Sequence, residues 1–153
     1  MQLYIMRHGQ AATPDGAMES ELTRAGRLAI EQLAVRFSQS LSQQGLSLST
    51  IFHSGKKRAE QTANIMAKSI IANTGCSILA GMRPNDDPQN IIETINHWQA
   101  PTLIVSHLPF IPRLGEILAG SNAEVRTIDI LPGTIITLQP SNHHWQIVSI
   151  MSP

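Results

Sequence analysis

Four short apolar runs, each followed by a segment of helical period, constrain this 153-residue chain more than any other feature. The runs are Leu3–Met6, Thr50–His53, Ser77–Ala80 and Thr102–Val105. Strands separated by helix-length segments cannot pair through tight hairpins. They pair through crossovers, which lay helices on both faces of a parallel sheet. The pattern therefore predicts a three-layer α/β/α sandwich with a mostly parallel central sheet, built as a single domain over residues 1–153.

The helices have recognisable ends. Thr23 is an N-cap residue type, and Ala25, Leu28, Ala29, Leu33, Phe37 and Leu41 recur at helical spacing before a stop at Gly45. Ser54 is placed to cap a second helix that turns Ala59, Ala63, Met66 and Ile70 inward and fades at Asn73 and Gly75. Asp87-Pro88 has the cap and first-turn chemistry of a third helix running to about Trp98. A fourth is expected over 109–119, ended by Gly120. Residues 9–22 read as a loop around Pro14, Asp15 and Gly16, and residues 81–88 as another. The last thirty or so residues change character. Glu124–Leu131, Thr134–Gln139 and Trp145–Ile150 read as strands, linked by Pro132-Gly133 and Pro140-Ser141-Asn142, that add one or two antiparallel strands.

Composition narrows the function classes. Eleven acidic residues balance eleven lysines and arginines, so the chain lacks the basic surface of a nucleic-acid binder. No apolar stretch reaches the ~20 residues of a membrane span, and no secretory leader is visible. The one cysteine, Cys76, reads as a small packed residue in a reducing compartment. A cytoplasmic monomer without nucleic-acid or membrane partners is expected.

In open α/β sheets, ligands collect beyond the carboxyl ends of the strands. Three such ends carry unusual residues: Arg7-His8-Gly9, Ser54-Gly55-Lys56-Lys57-Arg58 at a helix start, and Ser106-His107. Two guanidinium groups match phosphate oxygens with bidentate donors. A helix N-terminus adds free N–H groups. A neutral imidazole can be a nucleophile while a second donates to an oxyanion, and Gly9 lets the backbone approach closely. The set describes phosphoryl transfer through a histidine.

The motifs M-R-H-G at the N-terminus, L-T-R-A-G-R at 22–27, S-G-K-K-R-A-E-Q-T at 54–62 and S-H-L-P at 106–109 resemble the histidine phosphatase superfamily, the phosphoglycerate-mutase-like fold. The short chain, without large insertions, is most similar to the SixA branch of phosphohistidine phosphatases. The resemblance implies that His8 becomes phosphorylated and that Arg7, Arg58 and His107 form the phosphate pocket, with Gly9 beside it. It implies a phosphorylated histidine-containing protein, such as a histidine phosphotransfer domain in a signalling relay, as substrate. Two positions depart from the family pattern: Gly55 where it usually has proline, expected to loosen the turn, and Ser106 where it usually has glycine, expected to add a hydroxyl.

Relatives acting on phosphate esters use a carboxylic acid as proton donor. Asp86, Asp87, Glu19 and Glu21 are the candidates, and no motif selects one, Asp87 reading first as a helix cap and Glu19 and Glu21 as solvated loop charges. A labile P–N bond with an imidazole leaving group needs such help least. A phosphatase for a metabolite or another phosphoprotein is the nearest alternative, and a non-catalytic phosphate-binding module the next. The six histidines, His8, His53, His97, His107, His143 and His144, show no metal-ligand spacing, so no metal or other cofactor is expected. Trp98 and Trp145 read as packing residues.

Overall fold

The computed structural model describes residues 1–153 except 14, 15, 17, 71–74, 122 and 123. The expectations placed on Pro14, Asp15 and Asn73 lie outside the described residues. The elements are β1 (Leu3–Arg7), α1 (Arg24–Gln43), β2 (Thr50–His53), α2 (Lys57–Ser69), β3 (Cys76–Ile78), α3 (Gln89–His97), β4 (Thr102–Ser106), α4 (Phe110–Ala119), β5 (Ile135–Ser141) and β6 (His144–Met151). One six-stranded sheet has the order β3-β2-β4-β1-β5-β6. The first four strands in that order pair in parallel, and β5 and β6 close the far edge antiparallel.

Strand alternation divides the core into two layers. Tyr4 and Met6 face one cluster with Ile30, Leu33 and Phe37 of α1 and Ala59, Ala63 and Met66 of α2. Leu3 and Ile5 face the other with Ile91 and Ile95 of α3 and Phe110, Ile111 and Leu114 of α4. The three-layer sandwich with a mostly parallel sheet is as the pattern predicts.

Four local expectations need correction. Helix α1 is capped by Thr23, whose hydroxyl accepts from the Gly26 N–H, and stops before Gly45 at φ +67. Its buried face is rotated from the expected one: Gly26, Ile30, Leu33, Ala34, Phe37 and Leu41 point inward, while Ala25 and Leu28 are exposed. Gly26 sets that phase, because a Cβ there would lie 2.2 Å from the carbonyl oxygen of Gln10. Ser54 does not cap α2. The cap position is Lys56, two residues later, and offers no side-chain bond. The third strand begins and ends earlier than expected, at Cys76–Ile78, with Cys76 only partly buried. Residues 124–131 are not a strand. Glu124–Thr127 form a 3₁₀ turn pinned by the Thr127 hydroxyl on the Glu124 carbonyl and by an Arg126–Glu116 ion pair. Val125 of that turn packs so closely on α4 that a Cβ at Gly115 would sit 2.7 Å from it.

A candidate phosphoryl-transfer site at the strand ends

Register brings the three polar strand ends together. Arg7 pairs with Ser106 across β1 and β4, and His53 pairs with Val105 across β2 and β4. The next residues of each strand, His8, Ser54 and His107, therefore emerge along one rim. The rim backbone is fixed from both sides. The His8 N–H donates to the Ser106 carbonyl at 3.1 Å, and the Gly133 N–H is shared by the carbonyls of Arg7 and His8 at 3.0 and 3.1 Å.

His8 Nδ1 lies 2.7 Å from the carbonyl oxygen of Gly9. A carbonyl only accepts, so Nδ1 carries the proton and Nε2 the lone pair. Nε2 accepts from Arg58 Nε at 3.2 Å. Burial pushes the His8 pKa down to about 4; the Gly9 carbonyl opposes the shift, while Arg58 and Arg7 add to it. At neutral pH the ring is thus uncharged and its free nitrogen faces a guanidinium.

His107 is 1% exposed, with its ring centroid 5.0 Å from that of His8. Burial, then Arg58, His8, Lys56 and Arg7, lower its pKa to about 3. Its Nε2 lies 2.5 Å from the Ser54 hydroxyl. Arg7 donates from Nη1 to the Ile130 carbonyl at 2.8 Å. Among the described residues, Arg7 Nε and His107 Nδ1 are the buried side-chain polar atoms without a partner. Both belong to residues that the family resemblance places in the phosphate pocket. Burial lowers the pKa of both arginines, with Asp129 opposing at Arg7 and Glu19 at Arg58.

Helix α2 is the frame that positions His8. Arg58, Gln61 and Thr62 share one helical face. The Thr62 hydroxyl donates to the Arg58 carbonyl at 2.8 Å and accepts the Gly9 N–H at 3.0 Å. Gln61 accepts from the Leu22 N–H and donates to Glu21, both at 2.8 Å. The sequence reading assigned no role to Gln61 or Thr62, although their spacing from Arg58 was the available signal. Gly9 differs from expectation: its N–H is committed to Thr62, and its missing side chain makes room for Ile30, which a Cβ would meet at 2.7 Å.

The carboxylates separate clearly. Glu19 lines the open groove of about 650 Å³ that also contains Arg7, His8, Lys56 and Arg58, and it accepts from the Lys57 N–H at 3.5 Å. Glu21 is held by Gln61. Asp86 and Asp87 do not line the groove. Asp86 accepts from the Arg83 N–H at 2.9 Å and Asp87 from the Gln89 N–H at 3.0 Å, so each closes its own turn. The departures from the family pattern also find physical form. Gly55 has φ +90, which proline cannot adopt, so the turn takes a different path rather than a looser one. The Ser106 hydroxyl donates to the Met82 carbonyl at 2.7 Å, tying β4 to the loop before α3. Trp98 stacks on Phe52 and Trp145 is buried, both as packing residues.

The family model of the histidine phosphatase superfamily, branch 1, matches residues 3–77. Solved structures extend the likeness over the full fold. The protein histidine phosphatase SixA complexed with tungstate is 24% identical, with a TM-score of 0.84 over 99% of this chain and 97% of that one. A phosphoserine phosphatase mutant from Entamoeba histolytica, bound to phosphoserine, is 16% identical with a TM-score of 0.71 over 97% and 95%. A mycobacterial glucosyl-3-phosphoglycerate phosphatase is 14% identical with a TM-score of 0.70 over 96% of each chain. No curated protein matches the chain in sequence. At such identities the structural likeness establishes the fold alone.

Proposed function

On the premise that residues 3–77 carry the sequence of the histidine phosphatase superfamily and the whole chain its fold, we propose a phosphatase that works through His8 on a phosphohistidine borne by another protein. The observation that carries the reading is the pairing of a neutral histidine, tautomerically fixed by the Gly9 carbonyl, with two buried nitrogens, Arg7 Nε and His107 Nδ1, that lack hydrogen-bond partners. A buried donor without a partner costs about 1–3 kcal/mol, which a phosphoryl oxygen would recover.

The reaction has two displacements. Nε2 of His8 attacks phosphorus in line, forming one P–N bond as the substrate's P–N bond breaks, and the leaving imidazole takes a proton from water in the open groove. Water then attacks the phosphorylated His8; a P–O bond forms, the P–N bond breaks, and inorganic phosphate leaves. Arg58, which holds the His8 lone pair in the resting enzyme, turns its donors to the phosphoryl oxygens, where Arg7 and His107 join it.

The substrate class draws support from the rim. The groove is open, and Met18 in its lining and Leu131, next to the lining residue Pro132, are exposed. Such a border suits a side chain presented by a protein surface. The observation that favours a small phosphate ester is Glu19, a carboxyl group in the groove that in its acid form would protonate an alkoxide. The deciding experiment offers the enzyme a phosphorylated histidine phosphotransfer domain beside an alkyl phosphate, with turnover stopped in base. Expected are fast hydrolysis of the former, slow hydrolysis of the latter, and an alkali-stable, acid-labile phosphate on the enzyme. Absence of covalent phosphate would defeat the nucleophile assignment, and equal turnover of both substrates the phosphohistidine assignment.

A further inference from the structure

Ser54 and His107 are both buried, and 53 positions separate them in sequence. The Ser54 oxygen already accepts the Lys56 N–H at 3.3 Å. Its own proton needs an acceptor, and His107 Nε2 lies 2.5 Å away. Two arrangements are possible. If Nε2–H donated to Ser54, the serine proton and the Nδ1 lone pair would both be stranded. If Ser54 donates to Nε2, only the Nδ1–H is left over. The second arrangement strands one polar group instead of two. It also decides the sign of what remains. A leftover N–H attracts a phosphoryl oxygen, whereas a leftover lone pair repels it.

We propose that Ser54 is a positioning residue: its hydroxyl donates to Nε2 of His107 and thereby holds the proton on Nδ1, making the neutral ring a standing donor for the transferred phosphoryl group. This rests on the phosphatase reading for its purpose, but the tautomer itself is a property of the resting protein. The groups acting electrostatically on the His107 ring, Arg58, His8, Lys56 and Arg7, are cationic or neutral and disfavour the imidazolium. The choice is therefore between the two neutral forms. The free imidazole of a histidine side chain has no such serine, so removal of the hydroxyl frees the ring to place its proton on either nitrogen.

The test begins with ¹⁵N-imidazole NMR of the unliganded protein at pH 7.5. His107 should show a protonated Nδ1 and an unprotonated Nε2 in the wild type and in Ser54→Thr, which keeps the hydroxyl. In Ser54→Ala the Nε2–H form should appear. A wild-type Nε2–H form would overturn the proposal, whatever the enzyme hydrolyses, so its failure is distinct from a failure of the phosphatase reading. The kinetic arm compares the same variants in the covalent trapping assay. Ser54→Ala should phosphorylate roughly tenfold or more slowly, with Ser54→Thr largely restored. An alanine variant that merely loses stability, with an unshifted tautomer and rate, would also overturn it.

Discussion

The rim at the ends of β1, β2 and β4 and the acidic turn before α3 are both polar, yet they use polarity in opposite ways. In the turn, Asp86 and Asp87 each accept a backbone N–H within three residues, so their carboxylates are spent on local structure. On the rim, Arg7 and His107 keep buried nitrogens without hydrogen-bond partners, and two histidines are held neutral by burial and nearby cations. A fold that satisfies its polar groups locally gains stability from them. One that buries donors unpaired gives up stability, and a ligand can return it. The contrast makes the rim the candidate reacting centre without reference to any motif.

The comparison breaks most sharply at the nucleophile. His8→Ala should reduce turnover by roughly 10⁴-fold or more, as expected when the group that forms the covalent intermediate is lost. Folding should survive, because His8 lies at the strand end rather than among the buried apolar residues. Arg58→Ala should cost somewhat less, on the order of 10²–10³-fold, as for loss of one transition-state donor. Its purified variant should keep the wild-type circular dichroism spectrum, since the Thr62 bond that anchors α2 uses the Arg58 backbone rather than its side chain. Near-wild-type rates in either variant would move the chemistry off the rim.

How much of this was legible in the sequence depends on range. The Thr23 cap, the stops at Gly45 and Gly120, and the apolar run of β4 are dictated by neighbours a few residues away, and all read correctly. Arg7, His8 and His107 could be placed on the rim because each ends or directly follows a recognisable strand, and Arg58 because it lies in the first turn of the helix that follows β2. The inward face of α1 was misread because Gly26 meets Gln10, a loop residue whose path no local pattern reveals. Residues 124–131 alternate apolar and polar groups like a strand, but Val125 is held by α4, and the Ile130 carbonyl accepts from Arg7, more than a hundred residues away. Ser54 looked like a cap for the same reason: its partner, His107, is adjacent in the sheet and remote in the chain.

Stability should follow the neutral histidines with a definite sign. Unfolded histidine titrates near 6.5, while His8 and His107 stay neutral in the folded protein down to about 4 and 3. Below about 6.5 the unfolded chain therefore takes up protons the folded one refuses. The contribution is complete above that pH and is lost progressively as pH falls toward the folded values. His53, also lowered by burial, acts in the same direction. Urea midpoints of the wild type should drop between pH 7 and pH 5, and the drop should be shallower in His8→Ala. An unchanged slope in that variant would mean that the rim does not hold His8 in the uncharged form.

The smallest effects belong to the turn. Asp86→Asn and Asp87→Asn both keep an amide oxygen where the carboxylate accepted, and asparagine caps as well as aspartate. Each should change stability by no more than about 0.5 kcal/mol, the ordinary range of surface substitutions. Neither carboxylate lines the groove with His8, so phosphohistidine hydrolysis should stay within roughly threefold of wild type, far from the 10²–10⁴-fold of a true general acid. Glu19→Gln is the control that gives those small numbers meaning, since Glu19 does line the groove and faces Arg58. On an alkyl phosphate, whose alkoxide needs a proton, the Glu19 variant should fall below both aspartate variants. On phosphohistidine, whose imidazole leaves with little help, the three should converge. A several-hundredfold loss in Asp86→Asn or Asp87→Asn on either substrate would mean that the turn moves into the groove during turnover, and the division between a reacting rim and a structural turn would no longer hold.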